Sequence, residues 1–115
     1  MVTQYDFDGM ELDFARAGPG VLPAGAAWEH RHELTAFVAS VRAMTLAAGA
    51  RRGRPFLLAA CVPETLAGCA FDGMDVAAWC RAQLVDILVL GCRNFEVDAA
   101  IGRRIILKEP TSIET

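Results

Sequence analysis

At 115 residues, 54% hydrophobic and 22% charged, the chain has the composition of one globular domain rather than of a disordered segment. A net charge of −3 supplies no field for gripping phosphate backbones, and Arg51, Arg52 and Arg54 form one local cluster only, so no nucleic-acid partner is expected. The apolar runs, of which Phe56 to Val62 is typical, are too short to cross a bilayer, and no signal-peptide pattern is visible, so no membrane partner is expected.

The first element, Tyr5 to Phe14, alternates strictly. As a strand it sends Met10, Leu12 and Phe14 to one face and Gly9, Glu11 and Asp13 to the other. Same-face neighbours lie roughly 6.6 Å apart, so Glu11 and Asp13 are expected to feel each other's charge. An acidic outer face of a half-solvated antiparallel strand would give the same alternation. Ala15 to Ala27 follows, broken by Gly18-Pro19-Gly20 and Pro23, and is expected to be a long loop.

From Trp28 the period becomes helical. Leu34, Phe37, Val38, Val41, Thr45 and Ala48 form the expected inner face of a helix that ends at Gly49, with Arg51, Arg52 and Arg54 as terminus charges. His30 and His32 fall in its first turn, where a surface or capping role is expected. Pro55 to Val62 is continuously apolar and suits a strand covered on both faces. Thr65 is placed to cap a short turn through Ala70, and Asp75 to cap a helix from Val76 to about Leu84 with Val76, Trp79, Cys80 and Leu84 inward. Val85 to Leu90 reads as a third buried strand. The expected fold is therefore α/β, with three to four parallel strands and intervening helices in a single unit whose clear βαβαβ part spans 5–91. Between 95 and 115 the pattern weakens: Val97 to Arg104 suits a helix, Arg104 to Lys108 a fourth strand, and the tail after Pro110 a frayed end.

Cys61, Cys69, Cys80 and Cys92 show no Cys-x-x-Cys spacing, so structural thiols are expected, with no metal and no cofactor. Functional loops in parallel α/β folds leave the carboxyl ends of strands. Those ends deliver Glu11, Asp13 and Arg16, then Glu64 and Thr65, then Arg93 and Asn94. Solvated loop residues are the plainer account of Glu64 and Arg93, and core packing that of Trp79, whereas Trp28 and Trp79 as sugar platforms are the functional one.

The Asp-Gly-x-Glu-x-Asp-Phe pattern of Asp8 to Phe14, then Arg16, a Pro-Gly loop and Trp-Glu-x-Arg-His before a long helix, resembles the uncharacterised TIM-barrel proteins related to glycoside hydrolases, called glycosyl-hydrolase-like family 10. Arg54 to Pro63 and Asp75 to Leu90 share in the likeness, which spans roughly 5–91. It implies a partial (β/α)8 TIM barrel, carbohydrate-related hydrolysis in the intact family, a carbohydrate ligand and an acidic site at strand ends. On that basis Glu11 and Asp13 are the catalytic candidates, Glu11 as general acid, and Arg16, Glu64 and Asn94 the substrate-binding ones. The acidic strand also looks like the chitinase-type signature Asp-Gly-x-Asp-x-Asp-x-Glu, but Ala15 stands where the proton donor belongs. A closed barrel takes about 250 residues, so the chain is expected to be a barrel fragment with little or no activity alone and with open sheet edges available for self-association. Two alternatives are a small doubly wound binding module with an acidic Mg²⁺ or phosphate site, and a structural domain that works only when assembled.

Overall fold

A computed structural model describes residues 7–14, 22–23, 25–91 and 112–114. Four strands, β1 (Gly9–Asp13), β2 (Leu57–Val62), β3 (Ile87–Leu90) and β4 (Ser112–Glu114), lie in the order β1-β2-β3-β4, every neighbouring pair parallel. The fourth strand is a correction: Ser112 to Glu114 belongs to the tail expected to fray, yet it pairs with Ile87 to Val89. The helix and strand expected within 97–108 lie outside the described residues.

A 3-10 turn (Ala27–His30) leads into α1 (Arg31–Arg52), whose Leu34, Val38, Val41, Thr45 and Ala48 recur every three or four residues and are buried. Phe37, expected inside, is instead 49% exposed on the flank beside β1. The helix runs through Gly49 and stops only at Gly53, whose φ of 72° is the left-handed conformation that a side chain resists. Just before it, Arg52 donates to the carbonyls of Phe7 and Pro55 and lies over the Phe56 ring, tying the end of α1 to the starts of β1 and β2.

Thr65 and Asp75 cap α2 (Leu66–Phe71) and α3 (Val76–Arg81) as expected, accepting from the Gly68 and Ala78 N–H groups at 2.9 and 3.2 Å. The helix α3 is shorter than its periodicity suggested. Gln83 turns to φ 55°, and the Leu84 N–H reaches back to the Trp79 carbonyl at 2.9 Å, which ends the helix while keeping Leu84 against the core. Gly73 ends α2 in the same way, and it also brings the chain so close to the 3-10 turn that a Cβ would stand 2.6 Å from the Ala27 carbonyl oxygen.

All three helices contribute to one core, with Leu34, Val38 and Val41 of α1, Cys69 of α2, and Val76 and Trp79 of α3 against Leu58, Ala60, Val62, Leu88 and Leu90 of the sheet. Alternation along β2 and β3 puts these strand residues on a single face. The opposite face carries Leu57, Ala59, Ile87 and Val89, with Leu57 41% exposed. The expectation that β2 is covered on both faces therefore fails at Leu57 and Ala59, although Cys61 is buried. Nor does the strand order reverse, as a doubly wound sheet requires, since the described helices share one side.

Candidate functional site

Register brings the strand ends level. The Phe14 N–H donates to the Cys61 carbonyl at 2.9 Å, and the Gly91 N–H to the Val62 carbonyl at 3.2 Å, so Asp13, Pro63 and Gly91 mark one carboxyl edge of the sheet. Glu11 and Asp13 lie on the face opposite the described helices, as the alternation required, level with Ala59 and Cys61 of β2. Both are exposed.

The two acids belong to different concavities. Glu11 lines a cleft of about 340 Å³ with Asp8, Gly9, Met10, Leu57, Ala59 and Ile87. Asp13 lines a groove of about 460 Å³ along the outer rim of β1, whose other walls are Leu12, Phe14, Leu22, Glu33, Leu34 and Phe37. That groove is apolar with two carboxylates at its margin, a composition suited to a largely hydrophobic surface with a polar tip.

Glu64 is not the solvated loop residue that its position after Pro63 suggested. It is fully buried, and with the buried Asp72 it surrounds Cys69, whose thiol is pushed up from 9.0 to about 12 by burial first and then by the Asp72 and Glu64 charges. The Cys69 Sγ–H donates to the Pro63 carbonyl at 3.5 Å. A thiol held this way stays protonated and is no nucleophile at neutral pH. Glu64 therefore belongs with Asp72 around Cys69, and neither the Glu11 cleft nor the Asp13 groove includes it. Arg16 and Asn94 lie outside the described residues.

The aromatic and histidine residues follow their plainer roles. Trp79 is fully buried, donates from Nε1 to the Thr35 hydroxyl at 2.9 Å and tilts against Phe14 with ring centroids 5.8 Å apart. Trp28 is exposed, but Arg31 lies over its ring at 4.5 Å. His30 pairs through Nδ1 with Glu33 at 2.9 Å on the surface. Cys61, Cys69 and Cys80 are in the reduced thiol form, and among the described residues no three His, Cys, Asp or Glu side chains gather as a metal site would need. Among the described residues, no helix is long and apolar enough to cross a membrane.

One constellation went unrecognised in the sequence. Asp86, at the foot of β3, accepts both Arg42 guanidinium nitrogens at 2.7 and 3.0 Å and the Leu58 N–H at 2.8 Å, joining α1, β2 and β3 at the amino edge. Burial pushes the Asp86 carboxyl up, but the Arg42 and Leu58 hydrogen bonds and the Arg42 charge outweigh it and hold the group below its ordinary 3.8. The signal was there: a lone carboxylate inside Val85-Asp86-Ile87-Leu88 demands a partner, because leaving it unpaired in an apolar setting is costly. Comparison of the sequence with known protein families and with characterised proteins finds no match.

Proposed function

We propose that the chain is an arc of a (β/α)8 barrel of glycoside-hydrolase-like type, with the face opposite the described helices as its lumen and the carboxyl edge as its carbohydrate site. The observation that carries this is the strand order. Four parallel strands in sequential order, with their described helices on one face and an apolar face opposite, have the layout of consecutive barrel units. In that setting Leu57, Ala59, Ile87 and Val89 are lumen-filling residues, and Glu11 and Asp13 are carboxylates projecting into the lumen near its catalytic mouth. Closure would take both acids out of bulk water and fix Glu11 as the candidate general acid within reach of a bound sugar. In the open arc both are hydrated, and the expected hydrolytic activity of the isolated chain is little or none.

Oligosaccharide binding tests this directly. Backbone amide NMR signals are followed while a panel of neutral and amino-sugar oligosaccharides is titrated in. At least one sugar should shift the amides of Asp13, Phe14 and Gly91, and Asp13→Asn should weaken that response. A panel that moves no signal at the carboxyl edge would refute the carbohydrate assignment.

A further inference from the structure

We infer that the outward face of α1 docks a second copy of this chain, the two α1 helices packing antiparallel. A helix with water along one side normally carries charges there, whereas one that is apolar all round is covered all round. The inner stripe of α1 is already buried against the core. On the outer side Phe37 is 49%, Met44 51% and Leu46 58% exposed. Ala36, Ser40, Ala43, Ala47 and Ala50 are exposed beside them, and no exposed position of α1 between Glu33 and Arg51 carries a charge. The charge within that stretch, Arg42, is turned to Asp86. An uncharged band ~21 Å long, at about 1.5 Å per residue, therefore meets water.

The spacing of that band suits another helix. Steps of four, three, four and three residues lead from Ala36 through Ser40, Ala43 and Ala47 to Ala50. Such a seam packs at a shallow crossing angle of about 20°, and side chains this small let two axes approach to the short end of the usual range of roughly 8–10 Å. Phe37 and Met44, on one flank of the seam, then cover it from the side.

Charge selects the occupant. Glu29 and Glu33 stand at the amino end of the band, and Arg51 at its carboxyl end. Antiparallel pairing sets Ala36 of one copy level with Ala47 of the other, and Ser40 level with Ala43. It also brings Glu33 of each copy to Arg51 of the other, at both ends alike, and it opposes the two helix dipoles. Parallel pairing would set acids against acids and arginines against arginines. Since both copies use the same patch, the contact closes as a dimer and does not propagate. None of this depends on the barrel reading, because α1 turns this face away from the core whether or not the sheet belongs to a barrel.

Sedimentation equilibrium of the full chain tests the pairing. At about 100 µM, well above a micromolar dissociation constant, the mass should be twice the 12.4 kDa of one chain, with no larger species. Ala43→Glu, in the middle of the seam, should give a monomer with unchanged far-UV circular dichroism. Glu33→Arg and Arg51→Glu should each weaken the dimer roughly fivefold to tenfold, through like charges meeting at both ends, and the two together should restore it. Phe71→Glu, at the 70% exposed end of α2, should leave the dimer intact. A wild-type monomer, a dimer that tolerates Ala43→Glu, or a double charge exchange that fails to restore the dimer would each overturn the inference.

Discussion

The bridge between Arg42 and Asp86 gives the most quantitative prediction. Asp86→Ala removes three hydrogen bonds, strands a guanidinium only 15% exposed, and leaves the Leu58 N–H without its acceptor. An unsatisfied backbone donor costs about 1–3 kcal/mol, and breaking a fully buried ion pair about 3–5 kcal/mol. Since Asp86 itself is 27% exposed, water re-enters and the combined loss should be about 3 kcal/mol. Against the roughly 5–15 kcal/mol of a typical domain, that is a large share. Asp86→Asn keeps an oxygen for Leu58 and should lose only about 1–2 kcal/mol. Because the folded-state proton affinity of Asp86 is depressed, its contribution is present above its ordinary 3.8 and is lost as pH falls through the lower folded value. Urea unfolding followed by Trp79 emission, at fixed protein concentration and at a series of pH values, measures all of this. An Asp86→Ala loss below about 0.5 kcal/mol, or an Asp86→Asn protein with the same acid sensitivity as wild type, would refute the bridge as a structural clamp.

Three other outcomes are expected. Thr65→Ala should destabilise by about 1 kcal/mol through loss of the cap on Gly68, read as a shift of the urea midpoint without a change in slope. In the native protein at pH 8, Cys69 should be alkylated far more slowly than the part-exposed Cys80, and peptide mass spectrometry showing equal rates would contradict the burial and charge environment of Cys69. Acrylamide should quench two tryptophan populations, and Trp28→Phe should leave a single poorly quenched emission from Trp79, since only Trp28 meets solvent.

How much of this was legible in the sequence depended on the range of each interaction. The strand alternation at Met10, Leu12 and Phe14, the caps at Thr65 and Asp75 and the buried stripe of α1 are local patterns, and they were readable. Phe37 was misplaced because the α1 stripe is read as if neighbours lay on both flanks, whereas among the described residues Phe37 is left half exposed. A continuous apolar run such as Phe56 to Val62 looks the same whether its second face is covered or left partly exposed, so Leu57 could not be assigned. Glu64 looked solvated beside Pro63 because its burial is set by tertiary packing that no local pattern carries. Asp86 finds Arg42 only across 44 positions of chain, beyond any local pattern. The three residues of β4 carry no periodicity of their own, and only the adjacent β3 makes them a strand.

The register of the sheet also implies an order of assembly. Ala59 meets Ile87 only 28 positions along the chain, while Gly9 must find Leu57 at a separation of 48. The shorter closure gives up less chain entropy, so the β2-α2-α3-β3 hairpin of units should form the folding nucleus, and β1 should dock late. Destabilising substitutions at Leu88 would then slow refolding, whereas those at Met10 would chiefly hasten unfolding, which makes the acid-bearing strand the first part of the sheet to detach.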